Sequence, residues 1–326
     1  MKKLVKSAES IPDFRRSWGN LSHKLSDVLV IAFCAIIRGA QTYRDLEIFG
    51  NAKKMRWLLL SEEVSGRIIA FDGKTMRGSR CENTQGLHIL SAFLTDSQIV
   101  IGEITRDEKS NEITAIPELL NMINAEKAII TIDAMGTQTK IAEKIIAKKA
   151  DYCLALKGNH SELRDDVQFY FENETVKNKT KTLEKGHGRI ERREYFLETE
   201  IDWLYGRERW AGIRAIGAVK STVEIKGKRT AETRYFLTTL TNIDDFARAV
   251  RGHWGIENHL HWHLDVTFGE DNSKIRNKNA AEIWNIMRKL AMEYLKKQAF
   301  GGMSLINLRK LAGWDSSFLE RVVFAV

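Results

Sequence analysis

Cysteine and proline are both scarce in this chain, and the scarcity of cysteine excludes two classes of protein. The 326 residues contain three cysteines and two prolines. The cysteines are widely separated and form no Cys-x-x-Cys pair, which argues against a disulfide scaffold and a thiolate zinc site. The longest apolar run, Val28–Ile37, is shorter than the about 20 residues that span a bilayer. We therefore expect a protein of the reducing cytoplasm with no membrane role.

Basic residues are in excess. The net charge is +8 and the isoelectric point is near 9.2. With 43% hydrophobic and 29% charged residues, the composition is that of a folded globular protein rather than a disordered or fibrous one. The positive surplus favours a polyanionic partner, most simply nucleic acid, although many soluble proteins are mildly basic.

Apolar, β-branched runs alternate with amphipathic segments in the middle of the chain. They predict strands at Arg67–Phe71, Leu87–Thr95, Gln98–Ile104, Ala128–Asp133 and Tyr152–Leu156. Helices are predicted before and after the fourth strand, so the order is β-β-β-α-β-α-β. This order predicts an α/β fold with a mixed sheet and flanking helices.

The pattern changes on both sides of this region. Predicted limits are 1–62 for a helical N-terminal region, 63–300 for the α/β domain and 301–326 for a C-terminal tail. A mainly β insertion at about 160–245 interrupts the domain and is long enough to form an element of its own. Within it, Trp210–Val219 and Ser221–Ile225 are predicted as two separate strands.

Three acidic residues stand in settings that suit metal binding. Asp72 and Asp133 each close an apolar strand, and Glu257 lies on a later helix. Ligands commonly bind beyond the carboxyl ends of strands, and carboxylates are ligands that Mg²⁺ prefers. A single strand-end aspartate is more often a turn cap. Two of them on core strands of one sheet, followed by Glu257, predict a pair of Mg²⁺ ions that cuts a phosphodiester.

Two glycines follow the aspartates closely. Gly73 and Gly136 are expected to let the backbone turn away and to leave room for a phosphate. The stretch Asp72–Thr75 also looks like the end of a phosphate-binding loop. Ile68 occupies the position where that loop requires glycine, so we reject ATP binding.

Histidines and further acids surround Glu257. Between residues 253 and 271 lie His253, His259, His261, His263, Asp265 and Glu270. Their order does not match the His-Glu-x-x-His pattern of zinc proteases, so packing and hydrogen bonding around the helix, together with Trp254 and Trp262, is the simpler interpretation. Phosphate binding beside the acids is the alternative. In the insertion, the stretch 186–193 predicts a contact to a phosphate backbone.

Five ordered motifs resemble one family of enzymes. They are Phe-Asp-Gly-Lys-Thr-Met-Arg-Gly-Ser at 71–79, Thr-Ile-Asp-Ala-Met-Gly-Thr-Gln at 131–138, Leu-Ala-Leu-Lys-Gly-Asn-His at 154–160, Lys-Gly-His-Gly-Arg-Ile-Glu-Arg-Arg at 185–193, and the stretch 253–271. In this order they resemble the DDE transposases of the IS4-like superfamily, and within it the ISAs1 group with the H-repeat-associated proteins.

The resemblance implies a ribonuclease H-like catalytic core with a β-rich insertion between the second and third acids. It implies that Asp72, Asp133 and Glu257 bind Mg²⁺ or Mn²⁺, cut transposon ends and join them to target DNA. The implied partners are the terminal repeats, the target DNA and at least one further copy of the chain. Asp265 and Glu270 stay open as the third acid.

Expected DNA contacts are basic or donor side chains in or near the motifs: Lys74, Arg77, Lys157, His187, Arg189, Arg251, His253 and His261. The wider superfamily places Tyr, Arg and Lys around its glutamate, where this chain has Val250, His253 and Leu264. Family members also carry a further helical stretch where this chain has only a short link between Trp57 and Arg67. The alternatives are therefore a decayed copy that only binds DNA, a metal-dependent nuclease without strand transfer and, last, a zinc protein.

Overall fold

The computed structural model describes residues 25–42, 64–80, 86–106, 112–186, 188–298 and 302–324. These residues belong to two compact units. The sheet unit comprises the described residues of 64–74 and 88–259, and the helical unit comprises the described residues of 1–63, 75–87 and 260–326. Most of the predicted N-terminal region lies outside the described residues, and the predicted domain limits stay a prediction.

A large mixed sheet forms the centre of the sheet unit. Its nine described strands are β1 (Ile68–Thr75), β2 (His88–Leu94), β3 (Ile99–Arg106), β4 (Ile129–Ile132), β5 (Asp151–Leu156), β6 (Lys179–Gly186), β7 (Arg189–Glu198), β8 (Ala215–Ile225) and β9 (Lys228–Thr238). Their spatial order is β3-β2-β1-β4-β5-β9-β8-β7-β6. The strands β1, β4 and β5 are parallel, β2 and β3 are antiparallel, and the strands from β5 through β9 to β6 are antiparallel.

The helices are α1 (Leu25–Ile37), α2 (Glu112–Met122), α3 (Thr139–Ala147), α4 (Ser161–Asn173), α5 (Ile243–Ile256), α6 (Lys278–Lys297), α7 (Leu305–Trp314) and α8 (Ser316–Phe324). Two π-helical segments, Glu257–His261 and His263–Thr267, follow α5. The element order from β1 to β5 confirms the predicted mixed α/β fold with flanking helices. The parallel centre and antiparallel flank agree with the ribonuclease H-like sheet that the resemblance implies.

Both faces of the sheet are covered by apolar side chains. All four residues of β4 are buried, as expected for a central parallel strand. One face packs against α2, α3 and α4 through residues such as Ile116, Ile141 and Val167. The opposite face packs against α5 through Phe246, Ala249 and Val250.

The insertion continues the sheet instead of forming a separate one. Its last strand, β9, pairs antiparallel with β5, and β8, β7 and β6 follow outward. The two strands predicted at Trp210–Val219 and Ser221–Ile225 are one strand, β8, which begins at Ala215. That division was wrong because Lys220 is an exposed residue within a continuous strand and does not mark a turn.

Close packing of α5 on the sheet depends on a glycine. A Cβ atom at Gly217 in β8 would overlap the ring of Phe246 on α5. The helix starts at Asn242, whose side chain accepts hydrogen bonds from the backbone N–H groups of Asp244 and Asp245. The absence of a side chain at Gly217 therefore lets the capped helix lie directly on the strands.

In the helical unit, α1, α6, α7 and α8 pack together. The helix α1 ends before Gly39, whose φ of +114° lies in the region that favours glycine. The sequence assigned no secondary structure to the C-terminal tail, yet it forms α7, capped by the Ser304 side chain, and α8. Across the described ranges, every helix is too short or too polar to cross a bilayer.

Replacing Gly217 with alanine is expected to destabilise the sheet unit. The added methyl group would push Phe246 outward, and overpacking of this kind lowers the free energy of unfolding by about 1–3 kcal/mol. Chemical denaturation of the variant measures this change. Gly158→Ala is the control, because a Cβ atom there meets no atom within 4 Å. Equal stability of the two variants would contradict the role given to Gly217.

Candidate functional site

Asp133 stands directly after β4 and caps the 3₁₀ turn Ala134–Gly136. Its Oδ1 atom accepts hydrogen bonds from the backbone N–H groups of Met135 at 3.1 Å and Gly136 at 3.4 Å. The side chain is thus held at the carboxyl end of a buried strand, where the sequence predicts it.

Asp72 lies beside Asp133 but does not close its strand. The strand β1 continues to Thr75, so the predicted strand end at Asp72 was wrong. The parallel pairing between β1 and β4 does stop at Phe71 and Ile132. The two aspartates are therefore the residues that follow the last paired positions of neighbouring parallel strands.

Glu257 reaches the same place from the α5 side of the sheet. It begins the π-helical segment that follows α5 and is exposed. One carboxylate oxygen of Glu257 lies within 4.8 Å of one of Asp72. Asp72, Asp133 and Glu257 all line one pocket with a volume of about 220 Å³. The structure thus brings together the three acids that the sequence singles out.

Burial and the neighbouring acids change the pKa of Asp72. Its pKa is raised well above the ordinary value, first by burial and next by the charge of Glu257. A hydrogen bond from the backbone N–H of Gly73 opposes the rise, while Asp133 and Glu112 add to it. A cation between the carboxylates would offset both burial and repulsion, and oxygen-only ligands suit hard divalent ions. The pocket therefore fits a divalent metal ion.

A buried contact between a histidine and a glutamate lies behind Asp72. His88 on β2 contacts Glu112 at the start of α2 through its Nε2 atom, and both side chains are buried. A Cβ atom at Gly73 would overlap both groups. The predicted reason for this glycine, a sharp turn of the backbone, was wrong: Gly73 lies within a strand, and its missing side chain leaves room for the contact between His88 and Glu112.

Basic and donor side chains surround the acids. Lys157, His253 and Arg234 line the pocket, the first two as predicted DNA contacts. The Nδ1 atom of His253 is 3.0 Å from the hydroxyl oxygen of Thr131 on β4, which ties the last turn of α5 to the sheet. Val250, at the Tyr-like position of the superfamily, is buried against the sheet. Leu264 is also buried, so neither position presents a polar group to DNA.

A second, larger cleft of about 630 Å³ adjoins this pocket. It lies between α5 and the strands β6 to β9 and includes Arg189 and Arg251. Arg251 donates to both oxygens of Glu184 at 2.9 and 3.1 Å. These bonds, together with Arg193, lower the pKa of Glu184. The cleft is therefore lined by an ion-paired network and not by a row of isolated cations.

Three other predicted contacts, Lys74, Arg77 and His261, have different environments. Lys74 is half-buried in β1, and Arg77 forms an ion pair with Asp271 at 3.8 Å. His261 ends the π-helical segment of Glu257 and is buried. His187 lies outside the described residues.

Glu270, one of the alternatives for the third acid, is held by buried contacts to other side chains. It is fully buried, accepts a hydrogen bond from Asn285 at 2.8 Å and contacts Arg288 at 3.5 Å, both on α6. Asp265 lies in the second π-helical segment. The geometry of the pocket thus favours Glu257.

Two residues of the site were not predicted as functional. Arg234 lines both the pocket and the adjoining cleft, with its guanidinium 5.1 Å from the ring centre of Trp254. Trp254 is 44% exposed, so this ring is only partly packed. A basic residue in an alternating strand gives no local signal, whereas the position of Trp254 one helical turn before Glu257 was visible in the sequence.

Comparisons with known sequences identify the family. Residues 64–293 match the family described as "Transposase DDE domain", and residues 6–65 match the one described as "DDE_Tnp_1-associated". The ISAs1 subgroup stays a prediction.

The protein YncI of Escherichia coli O157:H7, named as a candidate transposase, is 35% identical over 373 positions, with 99% of this chain and 95% of that protein covered. The H repeat-associated protein YhhI of Escherichia coli K12, named likewise, is 33% identical over 374 positions, with 99% and 98% covered. Both alignments are longer than the chain, so these relatives contain residues that have no counterpart in it.

A solved piggyBac transposase synaptic complex with hairpin DNA has 10% identity and a TM-score of 0.47, covering 98% of this chain and 77% of that one. The sequence matches decide the family. The chain belongs to the DDE transposases, enzymes that use divalent metal ions to cut and transfer DNA.

Proposed function

We propose that Asp72, Asp133 and Glu257 are the catalytic acids of an insertion-sequence transposase that cuts transposon ends and joins them to target DNA. The observation that carries this proposal is the single pocket lined by all three carboxylates. These acids come from two neighbouring strands and from the π-helical segment that follows α5. Convergence from distant parts of the sequence is typical of a catalytic site.

Mg²⁺ or Mn²⁺ is the proposed cofactor. The three side chains offer only carboxylate oxygens, which favour these ions over softer metals. When bound, two such metal ions would polarise the phosphate and make water or a 3′-hydroxyl a stronger nucleophile. The protein's part is to hold the carboxylates in place: Asp133 through its cap, and Glu257 through the contact of His253 with Thr131.

Lys157, Arg234 and His253 are proposed to bind the scissile phosphate. All three line the pocket of the acids, and Arg234 extends into the adjoining cleft. A guanidinium binds phosphate through two parallel hydrogen bonds, which fixes its orientation as well as its position. In this assignment Arg234 contributes the phosphate binding that Val250 and Leu264, both buried and apolar, do not supply.

We further propose an oligomeric state and a cellular location for the protein. A transposon has two ends, each with its own scissile phosphate, so at least a homodimer is proposed for the synaptic complex. We propose the cytoplasm as the place of action. Cys153 is a buried thiol, which suits a reducing compartment.

A decayed copy that binds DNA without cutting it is the second candidate. The relatives contain residues with no counterpart in this chain, and the sequence predicts such a loss between Trp57 and Arg67. The pocket of acids can survive a loss elsewhere in the chain. DNA binding without metal-dependent cleavage by the unaltered chain would favour this candidate.

Asp133→Asn is expected to abolish cleavage while preserving the fold. The amide keeps a hydrogen-bond acceptor for the cap but loses the charge that a metal ion requires. The cleavage rate in Mg²⁺ should fall by at least about 10³-fold, the scale seen when one member of a catalytic unit is removed. A gel assay on a duplex carrying the terminal repeats measures it.

The matched control is Asp166→Asn, which removes the same charge from an exposed position on α4. Its cleavage rate should equal that of the unaltered chain. If Asp133→Asn cuts DNA at the same rate as this control, the assignment of Asp133 is wrong. Both variants should unfold at the same temperature as the parent.

Gly73→Ala is expected to disturb the metal site from behind. The methyl group would overlap the His88–Glu112 pair, so β1 must shift and carry Asp72 with it. Overpacking should lower the free energy of unfolding by about 1–3 kcal/mol, and the Mn²⁺ concentration needed for half-maximal cleavage should rise.

Gly186→Ala, where a Cβ atom meets nothing within 4 Å, should change neither quantity. Denaturation and a Mn²⁺ titration measure the two effects separately. A Gly73→Ala variant with unchanged Mn²⁺ dependence would show that the contact between His88 and Glu112 does not position Asp72.

A further inference from the structure

The cleft that adjoins the pocket of acids is rich in arginine. Its described lining residues include Arg189, Arg193, Arg234 and Arg251. Two residues, Arg234 and Trp254, line both the cleft and the pocket, so the cleft continues from the pocket on the α5 side of the sheet. A DNA strand with one phosphate in the pocket can therefore extend into the cleft.

Glu184 on β6 bridges two of these arginines. Its Oε1 atom accepts hydrogen bonds from Nη1 of Arg193 at 2.8 Å and from Nε of Arg251 at 2.9 Å. Its Oε2 atom accepts a further bond from Nη2 of Arg251 at 3.1 Å. The carboxylate thus lies in a fork of guanidinium N–H groups, and arginine binds phosphate oxygens in the same arrangement. We call Arg193 and Arg251 the arginine fork.

Glu184 is held less firmly than the other acid that contacts the fork. Glu191 is buried and pairs with both Arg189 and Arg193 at 2.5 Å. The side chains of Glu184 and Arg251 are 46% and 42% exposed, and ion pairs between exposed side chains contribute little to stability. Glu184 also lies on β6, the last strand of the described sheet, where seven of eight residues are exposed. Its side chain can therefore turn into solvent without disturbing a packed core.

Two polar atoms in the cleft have no hydrogen-bond partner among the described residues. They are Oγ of Ser221, a residue that is only 6% exposed, and Nε of Arg234. Ser221 pairs with Arg193 across the sheet, so its hydroxyl lies on the same face as the arginine fork. Buried polar groups without a partner are uncommon, and both of these can donate. A phosphodiester offers the acceptor oxygens that they lack.

We infer that the arginine fork binds a phosphate of the DNA strand that continues from the pocket, and that Glu184 occupies this site until the phosphate displaces it. The inference rests on the proposed function, which places the scissile phosphate in the pocket. The hydrogen bond from Arg251 lowers the pKa of Glu184, so the carboxylate stays charged at neutral pH. A competing anion, and not a proton, therefore releases the fork. Glu184 thereby weakens the binding of DNA.

Glu184→Gln tests the inference through DNA affinity. The amide keeps the shape of the side chain but removes the competing charge, so affinity for a short duplex of arbitrary sequence should rise on the order of tenfold. Arg251→Gln should lower the affinity by about the same factor. In the double variant, Glu184→Gln should change the affinity by less than about twofold, because Arg193 stays paired with Glu191. Fluorescence anisotropy at one moderate salt concentration measures all three variants.

Two further variants separate this effect from net charge and from misfolding. Glu224→Gln removes the same charge from an exposed position of β8 on the opposite face of the sheet, and it should bind DNA like the parent. Glu184→Asp keeps the charge but shortens the side chain, which weakens the bridge to the fork, so its affinity should rise at constant net charge. This variant also tests the inference if the amide variant does not fold.

Three results would overturn the inference. Equal gains in Glu184→Gln and Glu224→Gln would mean that Glu184 acts only through the overall charge. A loss of affinity in Glu184→Gln would mean that the carboxylate holds the arginines in place for DNA and does not compete with it. Unchanged affinity in Arg251→Gln would mean that the fork binds no phosphate.

Duplex binding is measured without a divalent metal ion, so it does not depend on catalysis. If Glu184→Gln binds the duplex more tightly than the parent, while neither cuts DNA in Mg²⁺, the phosphate site is supported and the proposed catalysis fails. If the parent cuts and joins DNA, and the Glu184 and Arg251 variants bind and cut it equally well, the proposed function stands and the phosphate site fails.

Discussion

Close packing of α5 against the sheet positions the third acid. Glu257 follows the end of this helix, and its carboxylate lies within 4.8 Å of that of Asp72. Two features set the depth of the helix: Gly217, which leaves room for the ring of Phe246, and the contact between His253 and Thr131. A helix displaced outward by one methyl group would carry Glu257 away from strands whose own positions are fixed by buried pairing.

The electrostatics of the pocket support the proposed metal site. Elsewhere in the sheet unit, buried acids have basic partners, since Glu112 contacts His88 and Glu191 pairs with Arg193. The pocket instead assembles acids, and burial together with the charge of Glu257 raises the pKa of Asp72. Like charges in a partly desolvated site are unfavourable unless a cation enters or a proton binds. In the proposed function, a divalent ion would offset this repulsion.

The sequence predicts local features of this fold and site better than distant ones. The buried strand Ile129–Ile132 and Asp133 after it follow from one continuous apolar run. The pairing of β9 with β5 joins segments far apart in the chain, so no local pattern shows that the insertion extends the sheet. Likewise, no local pattern shows that His88 contacts Glu112 beside Gly73, or that Arg234 on β9 lines the pocket. Their roles arise from tertiary contacts alone.

Localised cleavage of the protein by bound iron tests the shared metal site most directly. Fe²⁺ enters oxygen-ligand sites that hold Mg²⁺ or Mn²⁺, and with peroxide and ascorbate it cuts the backbone near its ligands. The account predicts cuts near Asp72, Asp133 and Glu257 together, suppressed by excess Mg²⁺ and lost in Asp72→Asn. Cuts confined to the region of Asp265 and Glu270, with none near the two aspartates, would contradict it.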